Sequence, residues 1–260
     1  MSATRSALYG LAGLLGFGVL LELVPRLGLI SRDYAPPTTD ILGTLAEQFG
    51  RGDFWVAVLD TLRTWLLGLV IAVALGVVLG VLIGSVPVVR AATASTIEFL
   101  RPIPSVALIP LVIVLQGPTV EATVIIVVYA AFWQVLLQVL AGVADVDPVA
   151  NDTARSYRLG RLDRIRFLVW PTALPYAVTG VRLAATVALI LTITGELVMG
   201  SPGLGQEIAN ARSSGAVPQM YALVVVTGLF GVGANVATRT AERRVLAWHP
   251  SMRLESRVPA

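Results

Sequence analysis

Six long apolar stretches limit what this chain can fold into. A helix of roughly 17 to 25 apolar residues crosses the hydrocarbon core of a bilayer. Because lipid cannot satisfy backbone polar groups, runs of this length fold as helices. The sequence therefore predicts an all-α integral membrane protein with six transmembrane helices in a single domain, 1–260. The predicted spans are about 8–30, 56–84, 96–115, 120–143, 173–199 and 220–237.

The composition supports a membrane protein and excludes several kinds of chemistry. Mean hydropathy is +0.80. All 19 basic residues are arginine, and the chain has no cysteine and one histidine, His249. A P-loop and a Schiff base both need a lysine, and a Cys/His zinc site needs ligands that are absent here. We therefore predict no catalytic residue, no metal site and no enzyme activity in this chain, and the net charge of +3 is too small to indicate nucleic-acid binding.

The arginines predict the orientation of the spans, since loops on the cytoplasmic side carry the excess of positive charge. If the N-terminus is inside, one side holds twelve arginines and the other side holds four. The sequence therefore predicts a multi-pass protein with both termini in the cytoplasm. The segments 31–55 and 200–218 are predicted to face outward.

The first span has two possible interpretations, and the segment after it has three candidate helix caps. An N-terminal apolar run can be a signal peptide, but no small-residue cleavage site follows it, so a retained anchor is favoured. Next, Thr38, Thr39 or Asp40 can cap a short helix on the outer surface. The apolar residues of that helix would share one face; they are Ile41, Leu42, Leu45 and Phe49.

The segment 144–172 concentrates five arginines between two apolar spans. Asn151 or Asp152 can cap a short helix over 153–159, and Gly160 can end or turn it. Arginines that served only to set the membrane topology would need neither a helix cap nor a glycine break. The pattern predicts a short basic helix across the cytoplasmic face, with the form of a docking element.

This segment resembles the cytoplasmic coupling loop of ABC importer permeases, in which Glu-Ala-Ala is followed by three residues, Gly, and later an apolar residue with Pro. Asp152, Thr153 and Ala154 stand at the first three positions, and "WPTALP" matches the last part. Arg158 stands at the usual glycine position, with Gly160 two residues later. The residues that the resemblance assigns to contact with an ATPase are Asp152, Thr153, Ala154, Arg155, Tyr157, Arg158 and Gly160.

A second stretch narrows the subfamily. "EFLRPIPSVALIPLVIV", 98–114, resembles a span of the permeases for nitrate, taurine, alkanesulfonates and bicarbonate. "GELVMGSPGLGQEI" and much of 36–84 resemble the same group, whereas "LQGPTVEA" departs from its "WFG" sequence.

The resemblance implies a type I importer fold and a set of partners. A separate cytoplasmic ATPase dimer would bind the ATP and Mg, and an extracytoplasmic protein would deliver a small anionic solute. Six spans imply a second permease copy or a paralogous partner in a bacterial inner membrane. A pyrimidine precursor or an aromatic acid is the alternative solute, and an ion-coupled secondary transporter is a further alternative.

Candidate gate residues come from proline chemistry and from polar side chains within spans. Pro102, Pro104 and Pro110 remove backbone donors and should break the third span, either for a gate or for packing. Glu98 and Arg101 are placed to form an ion pair. Glu196, with Thr192 and Thr194, either lines the path or packs between helices. We therefore take as gate or path residues Arg101, Pro102, Pro104, Thr192, Thr194 and Glu196.

The second span carries a stripe of small residues. Gly68, Gly76, Gly80 and Gly84 recur at intervals of four and eight. Such a stripe allows helices to approach closely. It favours helix packing or a dimer contact over a binding site.

Overall fold

A computed structural model describes residues 3–247, so His249, Arg253 and Arg257 lie outside the described residues. The described chain is all-α. A 3-10 turn at Ser105–Leu108 precedes α5, and a π-helical turn at Ile165–Val169 joins α8 to α9. The helices are α1 (Ala3–Arg26), α2 (Thr38–Phe49), α3 (Gly52–Ser85), α4 (Pro87–Leu100), α5 (Ile109–Gln116), α6 (Val120–Ala144), α7 (Pro148–Ser156), α8 (Arg161–Arg164), α9 (Trp170–Met199), α10 (Leu204–Ser213) and α11 (Val217–Val245).

Among the described residues, four helical segments are long and apolar enough to cross a membrane: α3, α6, α11 and the continuous run Arg161–Met199. The helices α4 and α5, with the 3-10 turn, form a bent pair that makes a fifth candidate. The first predicted span falls on α1, a 24-residue helix that ends at Arg26 rather than near residue 30. The count of six spans stays a prediction.

The glycine stripe of α3 packs against a row of valines on α6. A Cβ added to Gly68, Gly76 or Gly80 would lie 2.5 to 2.7 Å from a valine side chain. The valines advance along α6 as the glycines advance along α3, so the two helices run parallel. The stripe is therefore a packing seam within the chain, and α6 already occupies the face that a dimer contact would need.

Because α3 and α6 are parallel, the chain between them must return along the whole bundle. Gly84 lies beside Val143, near the ends of the two helices, whereas Gly68 lies beside Val127, near the start of α6. The connection from Ser85 to Val120 covers that length through α4 and α5, which meet at 82°. The predicted span 96–115 is therefore a broken crossing, interrupted after Leu100 where Pro102 and Pro104 were expected to break it.

Helix α9 runs antiparallel to α6 and fills the centre of the bundle. Gly142 approaches Ala173 at one end, and Gly195 approaches Thr123 at the other. The Trp65 indole donates to the Ala185 carbonyl at 2.9 Å, which fixes α3 against α9. We call the end of the bundle that carries 144–172 the α7 end, and the opposite end the α10 end.

The short helix α2 lies on the bundle near the α10 end. None of its predicted caps acts as one: Pro37 is the N-cap and makes no side-chain bond. Instead Glu22 of α1 accepts from the Thr39 backbone N–H at 3.0 Å. The predicted apolar face is also partly wrong, since Leu45 is buried while Leu42 and Phe49 are exposed.

Candidate functional site

The predicted coupling segment forms a helix, but the helix starts earlier than the sequence suggested. Helix α7 covers Pro148–Ser156, and Asp147 is its N-cap, accepting from the Val149 N–H at 2.7 Å. The predicted caps Asn151 and Asp152 lie inside the helix. Asp-Pro at a helix start was the signal that could have shown this boundary, because Pro is favoured in the first turn.

The end of α7 also differs from the prediction. Arg158, not Gly160, takes a left-handed backbone, with φ of 56°. The N–H groups of Arg158 and Leu159 donate to the carbonyls of Arg155 and Ala154 at 2.8 and 3.0 Å. These two bonds make a Schellman turn, which glycine usually completes. Gly160 has φ of −63° and precedes α8, so it does not form the turn.

Apolar and basic side chains are exposed around this turn. Tyr157 is 78% exposed, and Leu162 and Phe167 are also exposed, whereas Ala154 is buried against the turn. A groove of about 490 Å³ runs between α7 and the π-helical turn. It is lined by Asp147, Val149, Ala150, Thr153, Ala154, Tyr157, Leu159, Phe167 and Leu168.

One side-chain bond holds α7 to α8, and a second joins α9 to Asp145, the residue that ends α6. Arg164 of α8 donates to Asn151 Oδ1 at 2.7 Å. Beyond the π-helical turn, the Tyr176 hydroxyl donates to Asp145 Oδ2 at 2.9 Å. Because Arg161–Met199 is a continuous helical run, a displacement of α7 would reach the base of α9 through Arg164. The junction of α8 and α9 is a π-helical turn, and such turns within helices are frequent at functional sites.

The predicted gate residues fall into two separate places. Arg101, Pro102 and Pro104 are exposed in the break between α4 and the 3-10 turn. The Tyr129 hydroxyl donates to the Leu100 carbonyl at 2.9 Å, which satisfies a backbone group at the break. Pro110 does not break a helix, because it lies in the first turn of α5.

The expected ion pair at the break is absent. Among the described residues, no salt bridge joins Glu98 to Arg101. Arg101 follows the last residue of α4 and projects from the break as an exposed side chain. It is therefore a free-standing charge on that segment.

Glu196 lies at the α10 end and is fully buried. Its Oε2 accepts from the Thr61 hydroxyl and the Gly205 N–H, each at 2.9 Å. The Thr61 hydroxyl in turn accepts from the Leu204 N–H at 2.9 Å. Three elements, α3, α9 and α10, therefore meet on one carboxyl group. Oε1 is buried without a hydrogen-bond partner.

Two glycines make room for this carboxyl group. Gly203 has φ of 149°, and a Cβ there would lie 2.2 to 2.5 Å from the Glu196 carboxyl atoms. A Cβ on Gly205 would lie 2.4 Å from the Ile193 carbonyl oxygen. Sequence reasoning missed Thr61, Gly203 and Gly205 as partners, although "SPGLG" directly after a helical Glu was a visible signal of a tight turn.

The two threonines predicted with Glu196 have different surroundings. Thr192 is buried and donates to the Ala188 carbonyl at 2.8 Å. Thr194 is half-buried and donates to the Ile190 carbonyl at 2.7 Å. In this conformation Glu196 packs between helices, which was the alternative to lining a path. Its place in a path stays a prediction.

A sequence model of one transporter family matches most of the chain. The family is described as "Binding-protein-dependent transport system inner membrane component", and the match covers residues 57–247. The chain belongs to this family. It is a permease component of an ABC importer and not an enzyme, as the resemblance in 98–114 and 151–175 indicated.

Curated relatives of the permease include transporters of several solutes. The taurine transport system permease protein TauC of Escherichia coli is 29% identical over 231 residues, covering 87% of this chain and 84% of TauC. A putative aliphatic sulfonates permease, SsuC of Bacillus subtilis, is 25% identical and covers 88% and 83% of the two chains. The nitrate import permease NrtB of Leptolyngbya laminosa is 26% identical, covering 75% and 70%.

Solved structures show the same fold. A chain of the MetNI methionine ABC transporter, in an inward-facing conformation, has a TM-score of 0.63 at 17% identity and covers 73% of this permease and 94% of that chain. An amino acid ABC transporter has a TM-score of 0.60 at 20% identity, covering 72% and 92%. The predicted type I importer permease fold is confirmed.

Proposed function

We propose that the permease carries a small solute with a sulfonate- or nitrate-type oxyanion from an extracytoplasmic binding protein into the cytoplasm. The observation that carries this proposal is the set of relatives, which are described as permeases for taurine, aliphatic sulfonates and nitrate. These solutes share an oxyanion of compact shape. An uncharged pyrimidine precursor does not have that group, and an aromatic acid presents it on a bulkier body.

The α7 end is the cytoplasmic end in this proposal. The side that carries 144–172 holds twelve of the sixteen arginines counted outside the spans, with Arg63, Arg101 and Arg182 set aside. By the positive-inside rule this places both termini and α7 in the cytoplasm of an inner membrane. The loop between α9 and α11, with α10, then faces the binding protein.

The exposed surface of α7 is where an ATPase would bind. A helix whose apolar side chains are exposed beside five arginines offers an anchor and a charged rim, which suits a protein interface. Tyr157 and Phe167 are large apolar anchors on either side of the groove. Asp152, Thr153 and Arg155 lie on α7, before Tyr157. Arg158 and Gly160 shape the turn beneath.

Coupling would then pass from α7 to α9. The bond of Arg164 to Asn151 joins the docking helix to α8, which continues into the central helix α9. The bond of Tyr176 to Asp145 joins α9 to the end of α6. The ATPase pair holds the ATP and Mg, and its closure moves α7 and with it α9. Two permease copies face one another, and their motion opens the path alternately to either side.

The test is a reconstitution of the permease with its ATPase and binding protein in proteoliposomes. We expect ATP-dependent uptake of taurine, ethanesulfonate or nitrate by the wild type. In Tyr157→Asp, a charge replaces the exposed anchor, so ATPase co-purification and uptake should both fall by about tenfold or more.

The matched control is Tyr34→Asp. Tyr34 is 77% exposed at the α10 end, so the same substitution there should leave ATPase co-purification unchanged. Equal co-purification by both variants would remove α7 as the docking helix. Failure of the wild type to take up any of the three probes, with uptake of an uncharged solute, would overturn the oxyanion proposal.

A further inference from the structure

Arg182 is a charged side chain on an exposed face of the central helix α9. It is half exposed in the described chain. It lies about 26 Å along the helix from Met199, at 1.5 Å per residue. A hydrocarbon core is about 30 Å thick. If α9 ends at the outer boundary, Arg182 falls inside the membrane, near its cytoplasmic edge.

The face of α9 around Arg182 carries two threonines beside the exposed Leu183. Thr179 and Thr186 lie three residues before and four residues after Arg182, and both are exposed. At helical spacing the three residues form one stripe. Other sides of α9 pack against α3 and α6. A charged side chain facing lipid is costly, so such residues in spans face a polar passage or a protein partner.

Arg182 has an acidic partner that leaves most of its donors available. Its Nη1 donates to Glu242 Oε2 of α11 at 3.3 Å. A guanidinium has five N–H groups, and among the described residues this is the one side-chain bond that Arg182 makes. Glu242 is the less exposed of the two, at 15% against 48%. The pair is a neutralised cation whose guanidinium side chain is still half exposed.

The buried position of Glu196 is compatible with transport of an anionic solute. A carboxylate in the path would repel an anion, and Glu196 is a predicted path residue with a carboxylate. Its carboxyl group is enclosed by Thr61, Gly203 and Gly205 and does not reach an open face. Arg182 instead presents positive charge on an exposed stripe of the same helix.

We propose that Arg182 binds the oxyanion of the solute on its route, with Glu242 as the counter-ion that holds the guanidinium when no solute is present. This inference rests on the proposed import function and names the residue that selects for negative charge. The solute's oxygens replace or share the contact of Glu242. Planar bidentate recognition of an oxyanion is what arginine provides and lysine does not.

The test compares uptake of taurine, ethanesulfonate and nitrate in the same proteoliposomes. Arg182→Gln should reduce uptake by about tenfold or more, and Arg182→Lys should recover part of it. The charge swap Arg182→Glu with Glu242→Arg separates binding from a structural role. A structural ion pair would be restored by the swap, whereas an anion site would not.

Two further variants distinguish a loss of solute binding from a failure to fold. Arg182→Gln with Glu242→Gln leaves no unpaired charge, so it should assemble with the ATPase and still lose uptake. Arg63→Gln is the matched control, because Arg63 is an exposed arginine of a span helix paired with Asp60 at 3.8 Å. It should transport as the wild type does.

The outcomes are distinct. Wild-type uptake with loss in both Gln variants and in the swap supports the inference. Uptake restored by the swap, or retained in Arg182→Gln, overturns it and leaves the importer function intact. A wild type that takes up none of the three probes overturns the proposed function and this inference together.

Discussion

The two ends of the bundle satisfy their polar groups in opposite ways. At the α10 end, Glu196, Thr61 and Leu204 are fully buried and bonded to one another. At the α7 end, Tyr157 and Leu162 are about four-fifths exposed. Both ends contain a tight turn beside α9, yet one turn is closed over a buried carboxyl group and the other surrounds an open groove.

The difference shows where the chain is complete on its own. At the α10 end, Thr61, Leu204, Gly205 and Glu196 Oε2 are bonded to one another within one chain, although Glu196 Oε1 has no partner. We therefore expect this end to be rigid without a partner. The α7 end holds its shape through a cap, a Schellman turn and two side-chain bonds, while its apolar surface stays uncovered. It is the end that a partner would cover.

The largest expected effect is at the closed end, in Gly205→Ala. The added Cβ would lie 2.4 Å from the Ile193 carbonyl oxygen and 2.8 Å from the Leu197 nitrogen. Because those atoms are backbone, α10 must move away and the Gly205 bond to Glu196 is lost. We expect a cost of about 3 kcal/mol and a melting temperature about 10 °C lower for the purified protein.

The control for this variant is Gly233→Ala in α11. An added Cβ there meets nothing within 4 Å. Alanine is also the better helix former, so stability should be unchanged or slightly higher. If the two variants have the same melting temperature, the α10 end is not closely packed and its contrast with the α7 end disappears.

How far the sequence predicted this contrast depends on the range of the interactions. The apolar runs identified α3, α6, α9 and α11 because hydropathy is local and strong in membrane helices. The glycine stripe also identified a packing seam, although its partner on α6 needed the fold. The broken crossing between α3 and α6 was signalled by Pro102 and Pro104, but its 82° bend was not.

The candidate site was less predictable, because its contacts join distant parts of the chain. Thr61 meets Glu196 across 135 positions, and nothing near either residue indicates the other. The cap of α2 was mispredicted for the same reason, since the carboxylate that accepts from the Thr39 N–H belongs to Glu22 of α1. Local signals did exist for Asp147-Pro148, and there the prediction chose the wrong polar residue among several near the helix start.

A smaller effect is expected at the open end, in Asp147→Ala. Asp147 accepts from the Val149 N–H at 2.7 Å, so its removal leaves the first turn of α7 uncapped. Loss of an N-cap costs about 1 kcal/mol. Hydrogen exchange of the first α7 amides should rise about fivefold.

Asp152→Ala is the matched control for the cap. Its carboxylate is exposed and lies 3.7 Å from Arg155, an exposed pair that contributes little. The exchange of α7 should therefore stay as in the wild type. Faster exchange in Asp152→Ala than in Asp147→Ala would return the helix start to the position that the sequence predicted.

The smallest effect, and the one that most sharpens the comparison, is expected for Arg158→Gly. A left-handed backbone costs a side-chain-bearing residue about 1 kcal/mol or more relative to glycine. The greater freedom of glycine in the unfolded chain offsets part of this. The net stabilisation of the turn is about 0.5 to 1 kcal/mol. The Leu159 amide, which donates to the Ala154 carbonyl, should therefore exchange about two- to fivefold more slowly.

Gly160→Ala completes that test, because the two positions are the rival sites for the turn. Gly160 has φ of −63°, which any residue adopts, and its added Cβ would meet Asp163 Oδ2 at an ordinary 3.5 Å. Exchange at Leu159 should therefore not change in this variant. A turn loosened by Gly160→Ala and unaffected by Arg158→Gly would move the left-handed residue to Gly160. In that case α7 would be longer, and Tyr157 would lie within the helix instead of at its exposed end.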